Sequence, residues 1–328
     1  MPDLSAVLTK ALGAREKRPG RTLLTGWFSF VDGEVTAGDA LAERQVSASL
    51  TRAGLAHDTA WRPHFRPESL SLEAAEPAEY DTFVFACGPL HGRQLTDLHT
   101  RFARCRRIAV GVSVVDPADP AVTGFDQVLA RDGRGIVPSL DLGAVPPVVG
   151  PALTYGRGEY GTRRRHGEVA AAVTGWIGEK DCARVETDTR LAVDDWRLCA
   201  TADQFMALVG GFDLVVTTRL HGLVLALRAG TPVIAVDPVR GGAKVSAQAH
   251  VLRWPALLGA ERLSPALLDR WWVWALSTDG TAAAARRART MRVDGQSSSS
   301  LRTASLTGPV PEWRGGRKRL SRPAGPGR

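Results

Sequence analysis

The chain has 328 residues, 44% of them hydrophobic, and this length favours two domains over one. Its formal charge of +8 would by itself suggest a nucleic-acid partner, but the segment 286–328 contains ten arginines and one lysine against two acidic residues. The rest of the chain is therefore close to neutral, which excludes a basic nucleic-acid-binding surface on the folded part. We predict no nucleic-acid partner, and a disordered tail over 286–328, where Arg, Ser, Gly and Pro dominate.

The beginning of the chain and its cysteines indicate a cellular compartment. Residues 1–20 have apolar side chains at helical spacing, and we expect a helical extension there that is too short and interrupted for a secretory signal. No stretch approaches the roughly 20 apolar residues of a membrane helix. The cysteines form neither a CxxC pair nor a zinc-like spacing, so we expect reduced thiols and no metal site. These features predict a cytoplasmic protein, with peripheral contact at the inner face of the membrane as an alternative.

The first half of the chain alternates strand and helix signals. Strands are predicted at 22–31, 57–61, 81–87, 108–115 and 127–130, and helices at 39–53 and 94–104. This order is typical of βαβ units in a doubly wound parallel sheet.

A Pro- and Gly-rich stretch, 145–161, is predicted to connect this half to a second alternating region. That region has a helix at 168–178, a strand near 184–187, a helix at 202–209 and the apolar unit 213–237. We expect a GT-B-like arrangement of two Rossmann-like lobes with a cleft between them. The predicted divisions are 1–20 (extension), 21–145 (first lobe), 146–161 (connection), 162–285 (second lobe) and 286–328 (tail).

A predicted helix at 267–276 carries three tryptophans, Trp271, Trp272 and Trp274. Their spacing places them on several sides of the helix, so they cannot all enter one core. We expect them to pack across the two lobes. A patch that faces a membrane surface or a partner is the alternative.

The most informative segment is 213–237, DLVVTTRLHGLVLALRAGTPVIAVD. Its continuous apolar runs predict a buried strand at 214–218, a helix at 220–229 and a second buried strand at 233–236. Gly230 is expected to end the helix. Arg219 and His221 fall where the first strand gives way to the helix, which is where open α/β sheets bind ligands.

The chemistry of Arg219 and His221 suits an anionic substrate. A helix N-terminus favours an anion, the guanidinium fork suits a carboxylate or phosphate, and a histidine can move a proton near neutral pH. The alternative is structural: His221 bonds a neighbouring loop, and Arg219 pairs with a carboxylate such as Asp237. No GxGxxG after the first strand, GxxxxGK[ST], GxSxG or HExxH motif is present, so nicotinamide and P-loop chemistry are disfavoured.

The segment TTRLHGLVLALRAGTPVIAVD resembles the signature of the polysaccharide pyruvyl transferase family. Three further matches follow the family pattern in order: the pair Gly38-Asp39, the pair Arg131-Asp132, and Lys244. The resemblance implies a GT-B-like fold and an enzyme that moves the enolpyruvyl unit of phosphoenolpyruvate onto a sugar as a cyclic ketal. The implied acceptor is a sugar of a cell-surface glycan or its lipid-linked precursor, with no cofactor beyond the phosphoenolpyruvate donor and no metal.

The resemblance also implies residue roles. Arg219 and Arg131 would clamp the two anionic groups of the donor, with Lys244 as a further donor-binding cation. His221 would supply or relay a proton, and Leu220 would contribute backbone or packing. Asp39 would accept a proton from the attacking hydroxyl, or would only cap its helix.

The chain departs from the family pattern at 34–39, where the Asn that often precedes the Gly-Asp turn is missing, and at 87–90, where fewer glycines are available to surround an anion. These departures indicate an unusual acceptor or altered activity, and they leave two alternatives open. One is a sugar-nucleotide-dependent glycosyltransferase of GT-B type. The other is a non-catalytic relative that binds a partner or a lipid surface through its Trp-rich helix and basic tail. The sequence gives no indication of oligomeric state.

Overall fold

The computed structural model describes residues 20–131, 145–155 and 159–300. The chain divides into two compact units, Met1–Gly143 and Ala144–Arg328. Each unit is built around a five-stranded sheet whose neighbouring strands are parallel. This confirms the prediction of two α/β lobes with parallel sheets. The predicted extension over 1–20 lies, apart from Gly20, outside the described residues.

The sheet of the first unit has the strand order β2-β1-β3-β4-β5. Its strands are β1 (Thr22–Gly26), β2 (His57–Thr59), β3 (Thr82–Ala86), β4 (Arg106–Val112) and β5 (Gln127–Ala130). The helices of its described part are α1 (Ala37–Arg52), α2 (Arg93–Arg101) and α3 (Pro120–Thr123), with 3-10 turns at Trp27–Ser29 and Pro77–Glu79. The elements predicted for this half are confirmed within a few residues, except that the first strand ends early, at the turn that begins with Trp27.

Strand β3 shows why these apolar runs form a sheet covered on both faces. Phe83 and Phe85 point into a core cluster that includes α2, whereas Val84 and Ala86 point into a second cluster that includes α1. All four are buried. A run without alternation is the expected signature of a strand with a helix layer on each side.

The sheet of the second unit has the order β10-β9-β8-β6-β7. Its strands are β6 (Val148–Ala152), β7 (Ala183–Arg184), β8 (Leu214–Thr217), β9 (Val233–Asp237) and β10 (Leu257–Gly259). Its helices are α4 (His166–Gly178), α5 (Ala202–Gly210), α6 (Leu220–Ala229), α7 (Lys244–Val251), α8 (Pro265–Ala275) and α9 (Thr278–Ser300), with 3-10 turns at Gly161–Arg163 and Ala260–Arg262. The helix predicted at 220–229 has its predicted bounds, and Gly230 ends it in the left-handed conformation.

The two sheets share one topology, although no sequence repeat relates them. Numbered within its own unit, each has the strand order 2-1-3-4-5. In such sheets the chain reverses direction of winding between strands 1 and 3, and the loops at the carboxyl ends of these strands diverge there. In the second unit this switch point lies between β6 and β8.

The prediction that 145–161 is a simple connection is wrong in one respect. The stretch contains β6, which pairs with β7 and with β8. Gly150 and Pro151 gave it the composition of a loop. Gly150 is required by a close approach, because a Cβ atom there would overlap the ring of Phe212. Pro151 has no N–H to donate, but its carbonyl accepts a hydrogen bond from the Thr187 N–H at 3.0 Å.

The three tryptophans of α8 pack against aromatic rings of their own unit. This differs from the expectation that they pack across the two lobes. Trp272 meets Trp176 edge to face, with ring centroids 5.6 Å apart, and Trp274 meets Trp254 at 5.4 Å. Trp271 packs against Trp274 at 5.5 Å.

The helix that follows, α9, continues to Ser300 and so includes the first part of the segment predicted as a disordered tail. The rest of that predicted tail, 301–328, lies outside the described residues. In the part of the chain that the structure describes, no helix combines the length and the hydropathy needed to span a bilayer.

Candidate anion site in the second unit

A cavity of about 410 Å³ lies at the carboxyl ends of β6, β8 and β9, at the switch point of the second sheet. It is lined by Thr154, Glu159, Tyr160, His166, Thr189, Arg190, Thr218, Arg219, Leu220, His221, Asp237, Pro238, Val239, Ala243, Lys244 and Val245. Four of the residues predicted from the sequence, Arg219, Leu220, His221 and Lys244, are therefore brought together in one cavity. Their predicted roles are not tested by this placement.

Arg219 precedes α6 and joins three parts of the site. Its backbone N–H donates to Oγ1 of Thr217 at 3.0 Å, and its Nε donates to the carbonyl of Leu153 at 2.9 Å. Its Nη2 donates to the carboxylate of Asp188 at 3.2 Å, and both side chains are less than one-fifth exposed. The carboxylate partner is thus Asp188 and not Asp237, which the sequence had suggested as the structural alternative. The guanidinium is held in place at the cavity wall.

Asp237, the last residue of β9, is fully buried and shapes the next loop. One carboxylate oxygen accepts from the N–H of Val239 at 3.1 Å. The other accepts from the N–H groups of Ala243 and Ser246 at 2.7 and 2.8 Å, at the start of α7. The N-terminus of α7 is therefore already satisfied by an internal carboxylate.

Within the described ranges, the N-terminus of α6, unlike that of α7, is not capped by a side-chain carboxylate. Its first residues are Leu220, His221 and Gly222, and the first N–H groups of an α-helix have no intrahelical acceptor. The N-cap residue Arg219 has no acceptor in its side chain, and in the structure as described it makes no side-chain capping hydrogen bond to these N–H groups. His221 is exposed at the cavity wall. These backbone donors, together with the helix dipole, favour an anion in the cavity by about 0.3–1 kcal/mol.

Lys244 is the first residue of α7, and its ammonium lies 3.5 Å from the carboxylate of Glu159. Both side chains are more than half exposed, so the pair is weak and an anionic ligand can compete for the lysine.

Asp39 lies in the first unit, near the carboxyl end of its sheet, and is buried. Thr36, not Asp39, is the N-cap of α1. The Oδ2 atom of Asp39 accepts from the N–H and the hydroxyl of Thr36 at 3.0 and 2.7 Å, and the Thr36 hydroxyl accepts from the Asp39 N–H. The two residues form a reciprocal capping box. Burial raises the pKa of the Cys87 thiol, and the neighbouring Asp39 carboxylate raises it further.

Arg131 also belongs to the first unit and directly follows β5. Its Nη2 donates to the hydroxyl of Ser113 at 2.6 Å. Its predicted pair member, Asp132, lies outside the described residues. The structure thus places Asp39 and Arg131 at the first sheet, and Arg219, Leu220, His221 and Lys244 at the second.

Sequence reasoning missed His166, which lines the cavity, and Asp188, which is not part of the lining but pairs with Arg219. His166 begins α4, and its only local signal is its position after the basic run 163–165. Asp188 comes from a loop without periodic pattern and enters the site only because β7 pairs with β6. In the described part of the chain, no group of three His, Cys, Asp or Glu side chains is arranged to hold a metal ion.

Open α/β sheets of this topology bind ligands at the switch point, and the cavity found there is lined by two histidines, His166 and His221, and by the cations Arg190, Arg219 and Lys244. The model of the polysaccharide pyruvyl transferase family matches residues 185–238. This segment contains β8, α6 and β9, and with them the RLHG sequence and Asp237. The resemblance seen in the sequence is thereby confirmed over this part of the chain. No curated protein sequence matches the chain.

Solved structures similar to the chain include glycosyltransferases. The glycotransferase of kitacinnamycin has 12% identity and a TM-score of 0.34, over 87% of this chain and 98% of that one. The calicheamicin glycosyltransferase CalG4 has 14% identity and a TM-score of 0.32, over 88% and 100%. The glycosyltransferase SnogD from Streptomyces nogalater has 13% identity and a TM-score of 0.31, over 86% and 98%.

Proposed function

We propose that the chain is a transferase of the polysaccharide pyruvyl transferase type, which moves the enolpyruvyl unit of phosphoenolpyruvate onto a sugar as a pyruvate ketal. The observation that supports this most directly is the RLHG segment. It lies inside the family match, and it presents Arg219, His221 and an uncapped helix N-terminus to one cavity.

The donor has a carboxylate and a phosphate, and the cavity has a suitable set of cations. Arg219 and the α6 N-terminus would bind one anionic group, because backbone N–H groups and a guanidinium fork match its oxygens. Lys244 is a second cation on the same wall. Arg131, in the first unit, stays our candidate for an additional clamp. The backbone of Leu220 would contribute through its N–H at the start of α6.

The proposed reaction joins one donor to two hydroxyls of one sugar. A proton adds to C3 of the enol phosphate and forms the methyl group, which leaves an oxocarbenium-like centre at C2. The first hydroxyl oxygen bonds to C2 and gives up its proton. The C2–O bond to phosphate then breaks, with the electron pair leaving on phosphate, and the second hydroxyl closes the ketal. One hydroxyl proton balances the proton taken up by C3, and the other departs with inorganic phosphate.

Two residues are assigned to proton transfer. His221 would donate or relay the proton to C3, since its ring is exposed at the cavity beside the α6 N-terminus. Asp39 would accept the proton of the attacking hydroxyl, in addition to its capping contacts with Thr36.

A saccharide acceptor has space next to the cavity. A groove of about 990 Å³ adjoins it and shares Thr154, Arg190 and Arg219 with it. Tyr155 in this groove is 67% exposed, and an exposed aromatic side chain among polar groups suits the mixed apolar and polar surface of a sugar. We therefore propose a glycan or lipid-linked saccharide as acceptor.

The decisive test is calorimetric titration of the full chain with phosphoenolpyruvate, and separately with nucleoside diphosphate sugars. We expect micromolar phosphoenolpyruvate binding that Arg219→Ala abolishes and Arg228→Ala preserves, because Arg228 is exposed in the last turn of the same helix. Binding of a sugar nucleotide but not of phosphoenolpyruvate would replace the proposal by the glycosyltransferase alternative. Binding of neither, with no turnover of any sugar, would favour a non-catalytic relative.

A further inference from the structure

Backbone hydrogen bonds between two loops hold the N-terminus of helix α4 beside the cavity. Arg164 and Val239 form an antiparallel bridge. The N–H of Arg165 donates to the carbonyl of Pro238 at 2.8 Å, and the N–H of Arg240 donates to the carbonyl of Arg163 at 2.8 Å. The first turn of α4 is thereby held beside the loop that follows β9, which itself lines the cavity.

His166, the first residue of α4, has features that no structural role in the fold explains. The residue is 9% exposed and lines the cavity. Its Nδ1 is buried, and among the described residues that atom has no hydrogen-bond partner. A buried polar atom without a partner costs about 1–3 kcal/mol, a penalty that a bound ligand can remove by rearranging the ring or by supplying a partner.

Three helices begin at this cavity, and they are not equivalent. The N-terminus of α7 is satisfied by the carboxylate of Asp237. The N-cap residues of α4 and α6, Arg165 and Arg219, make no side-chain capping hydrogen bond in the described structure. The first turn of α4 also contains Glu168, whose carboxylate pairs with Arg165 at 2.7 Å. Each of these two N-termini has its own cavity histidine, His166 on α4 and His221 on α6.

We propose that the N-terminus of α4, the imidazole of His166 and the ammonium of Lys244 form a second anion half-site of the cavity. It would bind one anionic group of a small substrate that has two such groups, while Arg219 and the α6 N-terminus bind the other. The proposal rests on the proposed function and deepens it, since phosphoenolpyruvate is a substrate of this class. It places both donor-binding half-sites in the second unit.

The charges around His166 determine how the half-site responds to a ligand. Burial lowers the pKa of His166, and the charge of Arg164 lowers it further. Asp237 opposes this shift, Lys244 adds to it, and Glu159 opposes it. The ring is therefore neutral near neutral pH in the free protein, and a bound anion favours its protonated form. Binding of a substrate at this half-site should draw a proton from solution.

Net proton uptake and affinity together test the half-site. We would titrate the full chain with phosphoenolpyruvate near neutral pH in two buffers of different ionisation enthalpy, for the wild type, His166→Gln and His250→Gln. His250 is exposed on α7 and does not line the cavity, so it serves as the matched control. We expect His166→Gln to weaken phosphoenolpyruvate binding about tenfold and to remove the proton uptake, which His250→Gln retains.

A second variant keeps the test valid if His166→Gln does not fold. Lys244→Met changes a side chain that is more than half exposed and should leave the fold intact while weakening phosphoenolpyruvate binding severalfold. If the wild type binds phosphoenolpyruvate and neither variant changes its affinity or proton uptake, the half-site is wrong and the proposed function stands. If the wild type does not bind it, the proposed donor is wrong, and inorganic phosphate becomes the probe. Phosphate binding weakened by both variants would support the half-site, and phosphate binding unaffected by them, or no phosphate binding, would overturn it.

Discussion

Gly222 lies so close to Thr217 that a Cβ atom on the glycine would overlap the threonine hydroxyl. The hydroxyl cannot turn away without loss, since it donates to the carbonyl of Ala152 at 2.7 Å and accepts from the N–H of Arg219 at 3.0 Å. The glycine of the RLHG segment therefore lets the first turn of α6 rest on the end of β8. This contact fixes Arg219 and His221 at the cavity.

Gly222→Ala should destabilise the second unit by about 1–3 kcal/mol, because the added methyl group must push α6 away from β8. Denaturant unfolding measures this loss, and titration should show weaker phosphoenolpyruvate binding at temperatures where the variant remains folded. Gly175→Ala is the control, since a Cβ atom added at Gly175, in the later part of α4, would meet no atom within 4 Å. Equal stability of the two variants would show that α6 has freedom to shift.

His221→Ala should lower turnover by roughly 10²–10⁴ while the fold stays intact, because the variant loses the group that protonates C3 of the donor. The ring is exposed, so its removal leaves no cavity in the core. Initial rates of phosphate release with a competent acceptor measure the effect, and thermal unfolding checks the fold. An unchanged rate in a folded variant would remove His221 from the mechanism.

Arg219→Lys should raise the KM for phosphoenolpyruvate. A lysine cannot reach the Leu153 carbonyl, the Asp188 carboxylate and a substrate anion with one fork, because its ammonium is a single point charge. Asp188→Asn is the companion variant: it keeps the guanidinium but weakens its anchor. A KM that rises in Arg219→Lys and moves less in Asp188→Asn would assign the arginine to substrate binding. A KM unchanged in both would make Arg219 purely structural.

The sequence predicted the parts of the fold in which local pattern and tertiary role agree. The strands β8 and β9 and the helix α6 were recognisable because buried apolar runs flank a glycine-ended helix. Strand β6 was not recognisable, because Gly150 and Pro151 usually interrupt strands. The strand can contain these two residues because the ring of Phe212 lies where a Cβ atom of residue 150 would be, and because the Pro151 carbonyl accepts from the Thr187 N–H. Neither contact is visible in the sequence.

The site also contains residues that the sequence predicted and residues that it did not. Arg219, Leu220 and His221 are adjacent in the chain, so one motif predicted all three. His166 and Asp188 come from segments that are remote in sequence from that motif. The bridge between Arg164 and Val239 brings His166 to the cavity, and the pairing of β6 with β7 and β8 brings Asp188 to Arg219. Such residues become predictable only when the strand order is known.

Asp39 offers a way to separate capping from proton transfer. Asp39→Asn keeps a hydrogen-bonding side chain at the third position of α1 but loses the carboxylate, whereas Thr36→Val removes the N-cap and keeps the carboxylate. Each should cost about 0.5–2 kcal/mol of stability. We expect Asp39→Asn to reduce turnover at least about 100-fold and Thr36→Val to leave it near the wild-type rate. Equal turnover in the two variants would limit Asp39 to its capping role.

The stability of the first unit should fall as the pH drops below about 6.5, the ordinary pKa of histidine. Burial lowers the pKa of His99, although its hydrogen bond to the Ala121 carbonyl opposes the shift. The ring is buried and packs edge to face on Phe125 with centroids 4.5 Å apart. The unfolded chain therefore binds a proton at a higher pH than the folded unit does, and the loss should level off once the pH passes below the lowered folded-state pKa.

Denaturant-dependent hydrogen exchange of the backbone amides of β3 and β4 can detect this effect, since these buried strands belong to the first unit. The variant His99→Leu removes the titrating ring and keeps a buried apolar side chain, so the free energy of unfolding of this unit should change less between neutral and mildly acidic pH. His64→Leu is the control, because His64 is exposed and its removal should preserve the wild-type pH dependence. A pH dependence that persists unchanged in His99→Leu would mean that other groups cause the acid sensitivity of this unit.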